Sequence, residues 1–286
     1  DLKEASKVSL GVIAAVMMVS VLQSFSGSVK TVANLAGATA IAAGLLLSAN
    51  SLIRLGSQTV TEISEYGKLL LPVMTAAMAA QGGAASSTAL YAGTAVFDAV
   101  LSTLISRLLN PMVYLFLALS AANGAIGENI LGKLRDLVKC VVSWSLKTIL
   151  MVFTTYMTVT GVVSGTTDAA ALKATKVTIS SVVPVVGGIL SDASEAVLVS
   201  AGLMKNAAGI YGILAVLAGF LSPFLKIGVH YLILKLTAAV CGIFGEKGLT
   251  ELIGDFSTAM GLLLAMTGSE CLLLLISTVC FLKGVG

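Results

Sequence analysis

The sequence predicts an all-α fold, a polytopic transmembrane helical bundle with broken or re-entrant helices, as a single membrane domain over residues 1–286. Three observations lead there. Of the residues, 57% are apolar and only 11% are charged, against about 45–50% and about 25% in soluble domains. The mean hydropathy is +1.02, and so few charges cannot clothe a water-facing surface of this size. The apolar residues also run continuously and are rich in Ala, Leu and Gly, unlike the alternating segments of about ten residues in a membrane barrel.

A membrane helix needs about 20 mainly apolar residues. Spans are expected at 8–25, 32–53, 84–109, 112–126, 137–163, 207–221, 224–244 and 256–282. Two shorter stretches, 69–80 and 177–190, each hold a proline, Pro72 or Pro184, near a glycine pair, Gly82-Gly83 or Gly187-Gly188. They read as broken or re-entrant helices, which survive at membrane depth only where protein or water covers the backbone. Polar linkers are expected at 26–31, 127–136, 164–176 and 245–255. Lys133, Arg135 and Lys139 make 127–139 the best cytoplasmic loop by the positive-inside rule. The chain opens at Asp1 with no initiator Met and no basic-then-apolar leader, so a removed or trimmed segment is expected ahead of it.

The four prolines suggest an internal repeat. Pro72 to Pro184 and Pro111 to Pro223 are both separations of 112 residues. Leu71-Pro72-Val73 matches Val183-Pro184-Val185, and Leu109-Asn110-Pro111 matches Leu221-Ser222-Pro223. Residues 119–126 resemble 236–243, and Gly127-Glu128 resembles Gly245-Glu246. The units are 60–126 and 172–244. Paired broken helices around a binding site are characteristic of secondary transporters, and an odd number of spans between equivalent positions would invert the second unit.

A net charge of +3 is too small to argue for nucleic acid binding. Cys140, Cys241, Cys271 and Cys280 lie in or beside apolar runs without a C-x-x-C pair, and buried free thiols are expected. The single histidine leaves little for an imidazole metal site, and no metal or cofactor is expected. Neither a phosphate-binding loop, a zinc-protease helix nor a nucleophile elbow is present. No catalytic residue is therefore assigned and the chain is expected not to be an enzyme.

Asp192 and Glu195 share a helix face just after Gly187-Gly188. They read either as a polar conduit lining or ion site, or as loop acids that face water or cap 193–204. Asp98, Lys147, Lys226, His230 and Glu270 fall inside apolar runs. Such residues are costly in hydrocarbon and face a protein interior or a water path. Lys226 can instead snorkel, and Glu270 can instead pair with Lys147 or His230. Glu62, Glu65 and Lys68 read as a solvated helix face. Small residues four apart, such as Ala33 with Gly37, Ala40 with Gly44 and Ala215 with Gly219, suit close helix packing in lipid.

The segment 173–198, with its Pro184-Val-Val-Gly-Gly-Ile-Leu-Ser-Asp-Ala193 block, and Leu203-Met-Lys-Asn-Ala-Ala-Gly209 strongly resemble the stage III sporulation protein AE family. Leu70-Leu-Pro-Val-Met74 with Gly82-Gly83 fits the same family, and the resemblance covers nearly the whole chain. It implies a protein of endospore-forming bacteria, made in the mother cell and placed in the membrane around the forespore. It implies membership of a channel or secretion-like complex that includes ring-forming and ATPase-like subunits. Family members usually carry an N-terminal extension with a signal sequence. The expected function is a non-enzymatic subunit supplying the conduit or export gate, with Pro72, Gly82, Gly83, Pro184, Gly187, Gly188, Asp192 and Glu195 as its core. The alternatives are an autonomous transporter of a small solute or ion, and a platform that recruits ring subunits. Expected partners are the lipid bilayer and the other complex subunits, with homo-oligomerisation open and nucleic acid not expected.

Overall fold

The computed structural model describes the backbone of residues 2–23, 28–182, 187–243 and 247–283, and side chains outside 1–5, 23–31, 34, 161–205, 244–246 and 284–286. Every described element is helical. In chain order they are α1 (Leu2–Gln23), α2 (Ser28–Ala80), α3 (Ala84–Leu104), a π-helical turn (Ile105–Leu109), α4 (Asn110–Ile126), α5 (Asn129–Val182), α6 (Gly187–Gly242) and α7 (Lys247–Lys283).

Five of the described helical stretches are long and apolar enough to cross a membrane: Leu35–Ala80, Ala84–Ile126, Asn129–Thr160, Asn206–Gly242 and Lys247–Lys283. Ser6–Leu22 is a shorter apolar helix. With the composition, these make the chain an integral membrane protein. The eight separate spans expected from hydropathy are therefore too many. Residues 32–53 and 69–80 belong to one helix, 84–109 and 112–126 to one continuous helical stretch through the π turn, and 207–221 and 224–242 to one helix. Polar residues between two apolar runs do not stop a helix, because the backbone bonds are satisfied internally whatever the side chains are. The 53 residues of α2 reach about 80 Å at 1.5 Å per residue.

The break expected near Pro72 is not there, since α2 continues through it. The Pro72 ring is exposed, and the missing N–H frees only the Lys68 carbonyl while the rest of the ladder is kept. The chain turns instead at Gln81–Gly83. The Gly82 N–H donates to the Ala79 carbonyl at 2.9 Å and the Gly83 N–H to the Met78 carbonyl at 3.1 Å. Gly82 has φ +92°, a conformation that costs glycine little and other residues more. Pro184 lies outside the described residues, between the end of α5 and the start of α6. Pro111 follows the π turn, where the Asn110 N–H donates five residues back to Ile105. This wider turn shifts the ladder before the residue that cannot donate.

The linkers are shorter than expected. Residues 127–136 are a brief turn at Gly127, φ +75°, followed by the first turns of α5. The backbone of 164–176 is helical, and α7 has begun by Lys247. The cytoplasmic-loop assignment to 127–139 thus falls mostly on helix.

The chain forms two compact units. The first comprises Asp1–Thr59, Thr103–Leu146 and Leu221–Gly268. Its core joins Val16 and Val19 of α1, Ile41 and Leu45 of α2, Val113 and Phe116 of α4, Val142 of α5, Ile227 of α6 and Phe256 of α7. The second comprises Val60–Ser102, Lys147–Phe220 and Ser269–Gly286, and it buries Met74 and Met78 of α2, Leu90 of α3, Phe153 and Met157 of α5 and Leu274 and Phe281 of α7. In α3, buried Ser87, Leu90, Thr94, Asp98 and Leu101 recur at helical spacing. Large apolar side chains such as Leu47, Trp144 and Tyr211 face outward, as suits contact with lipid. Where lipid bathes the outside, helix association rests on close packing. Gly37 lies against Val19 in the first unit, and Gly93 lies against Tyr156 in the second, so that a Cβ would overlap the partner at either. Gly44 and Gly219 meet nothing within 4 Å, so only part of the small-residue pattern serves contact.

Candidate functional site: a buried acid pair in a polar seam

In the second unit, α2, α3 and α7 enclose a polar seam. Asp98 sits on the buried face of α3, one turn from Thr94. The Ser64 hydroxyl of α2 donates to Asp98 Oδ2 at 2.7 Å, and the Thr94 hydroxyl donates to Ser277 Oγ of α7 at 2.8 Å. Ser277 in turn donates to the Leu273 carbonyl at 2.9 Å. Glu270, two turns before Ser277 on α7, is 0% exposed. The charged groups acting on it are the Asp98 carboxylate and, more weakly, the Lys68 ammonium. Neither Glu270 oxygen meets a hydrogen-bond donor among the described residues, and the Asp98 carboxyl is the polar group within its reach.

The sequence singles out both acids but not their association. Lys147, one candidate partner for Glu270, is exposed. His230, the other, points Nδ1 at the Lys226 carbonyl at 2.8 Å. It lines a small apolar pocket of the first unit with Val8, Leu45, Leu52, Phe256 and Met260. Lys226 is half-buried. Ser64, Thr94 and Ser277 were not legible as site residues. The available signal was the four-residue spacing of Thr94 and Asp98 and the seven-residue spacing of Glu270 and Ser277, which put each pair on one helix face.

The remaining candidates are scattered. Pro72 is an exposed residue within α2, and Gly82 and Gly83 form the α2–α3 turn, where Gln81 Oε1 is buried without a hydrogen-bond partner. Gly187 and Gly188 open α6, and Asp192 and Glu195 lie on its helical backbone. The reading of these acids as loop residues is thereby corrected, since the chain has been helical for a turn before Asp192. Their side chains are outside the described residues. Glu62, Glu65 and Lys68 are exposed on α2.

A second polar cluster belongs to the first unit. Arg135 Nη1 meets Asp255 Oδ2 at 2.6 Å and Nε meets Asp136 Oδ1 at 3.1 Å, with Glu251 at 3.9 Å. Arg135 and Asp255 are 14% and 16% exposed, so the pair ties α5 to α7 rather than marking a loop. The cysteines are free, with Cys241 and Cys271 buried as expected and Cys140 exposed.

A family model described as stage III sporulation protein AE (spore_III_AE) matches residues 4–284. The stage III sporulation protein AE of Bacillus subtilis (strain 168) is 24% identical over 199 residues, covering 68% of this chain and 50% of that protein. The chain thus spans about half the length of this curated relative. No solved structure matches it.

Proposed function

The chain belongs to the stage III sporulation protein AE family, and from that premise we propose that it is a non-enzymatic membrane subunit of a channel joining mother cell and forespore, supplying its conduit or export gate. It would act in sporulation from the mother-cell membrane around the forespore, alongside ring-forming and ATPase-like subunits. The observation that carries the reading is the polar seam of the second unit. Two carboxyl groups and three hydroxyl-bearing residues are enclosed by apolar helices there. Placing ionisable groups at membrane depth costs several kcal/mol, and hydrophobic packing would stabilise a mere platform at least as well.

The test replaces Asp98→Asn and Glu270→Gln, singly, in a sporulating host, and measures both the membrane level of the protein and spore yield. Normal protein level with a sharp loss of spores supports the conduit. Normal spore yield would leave the platform reading. The same seam suits an autonomous transporter, and solute flux through the chain reconstituted alone would favour that alternative over a conduit that needs its partners.

A further inference from the structure

We propose that Asp98 and Glu270 together hold one exchangeable monovalent cation, a proton or a sodium ion, inside the second unit. This goes beyond the conduit reading, because a transporter or a platform could carry the same site.

The argument begins with the donors and acceptors present. An ionised carboxylate only accepts hydrogen bonds. Asp98 receives one, from Ser64. Glu270 receives none from any hydroxyl, amide or cationic donor among the described residues, although both oxygens are fully buried, and the polar group within its hydrogen-bond reach is the Asp98 carboxyl. Polar groups buried in this way ordinarily find partners, and leaving a charged one unsatisfied is expensive. The group beside Glu270 is itself an acid. Two carboxyl groups can satisfy one another only when a cation lies between them, either a proton they share or a metal ion they both ligate. The arrangement therefore calls for positive charge between the two carboxyl groups.

Among the described residues, the surroundings do not supply that charge. On α2, Lys68 acts on Glu270 but is itself exposed. On α3 the titratable neighbour is Asp98. On α5, Lys147 is exposed, and the Tyr156 hydroxyl is committed to the Ala89 carbonyl at 3.1 Å. On α7 itself, Cys271 follows Glu270 and is buried. The side chains of α6 up to residue 205 lie outside the described residues.

The ligand class follows from the donor set. Carboxylate and hydroxyl oxygens are hard ligands, which favour a proton or an alkali or alkaline-earth ion over soft transition metals. Two carboxylates carry at most two negative charges, and calcium takes six to eight oxygens. A monovalent ion asks for less, and Asp98 Oδ, Glu270 Oε and Ser64 Oγ can supply it. Thr94 and Ser277 continue the oxygen-lined seam along α3 and α7.

Infrared difference spectroscopy on the full chain reconstituted in lipid tests this with the candidate cations themselves as the probes. The signal is the C=O stretch of a protonated carboxyl group. Two exchanges are made on one sample, a pH step at constant salt and a replacement of choline by sodium at constant pH. A carboxyl band that changes with pH and ignores sodium identifies a proton site. A band that sodium removes and choline restores identifies a sodium site. Either result supports the proposal if Glu270→Gln abolishes the change and Asp98→Asn weakens its cation dependence at least tenfold. A carboxyl band invariant to both exchanges shows a fixed structural acid and overturns it. So does a change that survives in both variants, which would arise elsewhere. Invariance is read on the unaltered chain, and a variant is counted only where its thermal unfolding matches that of the unaltered chain, so a misfolded variant cannot imitate the result. Spore yield is not read, so the outcome is separate from that of the conduit test.

Discussion

At Gly93, the approach of Tyr156 leaves no room for a Cβ. The Tyr156 ring cannot simply swing away, because it packs at 5.8 Å from Phe97 and its hydroxyl donates to Ala89. Gly93→Ala is expected to destabilise the chain by about 1–3 kcal/mol, as overpacking does, and thermal unfolding in detergent measures it. An unchanged melting temperature would mean that the second unit can part there at no cost. Asp192 and Glu195 carry a different expectation. Acids three apart beside a Gly-Gly pair have the form of a site, whereas a helix start needs a single capping residue. The double replacement Asp192→Asn with Glu195→Gln should leave the protein level normal and reduce spore yield sharply. Undiminished spores would sink the site reading of these acids. Loss of the protein would make them structural.

Among the elements, α2 decides between two kinds of helix breaker. Pro72 removes one donor from a helix that continues regardless, and its ring is exposed. Gly82 holds a positive φ at which the chain reverses. Pro72→Ala restores a ladder bond and is expected to stabilise the protein, by up to about 3 kcal/mol. Gly82→Ala is expected to destabilise it by about 1 kcal/mol or more, since alanine is strained at that φ. Melting curves of the two variants should therefore move in opposite directions. The reverse order would restore Pro72 as the functional break. Both residues were visible in the sequence as helix breakers. Their ranking was not, because whether a proline breaks a helix depends on the direction of its ring and on what else satisfies the freed carbonyl.

For the whole molecule, the equal spacing of prolines leads us to propose that residues 60–126 and 172–244 are related units. Superposition of the two segments in an experimental structure is the test. Matching helix paths before and after both turns would establish the duplication. Divergent paths would reduce the proline spacing to an accident of an apolar sequence. The buried acids bear on the same scale. Composition marked Asp98 and Glu270 as out of place in hydrocarbon, yet their sequence separation of 172 residues hides the seam they share.

Composition and periodicity alone determined that the chain is helical and built for a membrane. Those properties follow from a local rule, that backbone groups in lipid must be satisfied within the segment. The family was also legible, in the Pro-Val-Val-Gly-Gly block and its flanks. Tertiary structure alone decided which apolar runs fuse into one helix, where the chain turns, and that Ser64, Asp98 and Glu270 from three helices meet. A helix end depends on caps and φ values that hydropathy does not encode, and a buried polar contact depends on packing between faces far apart in sequence.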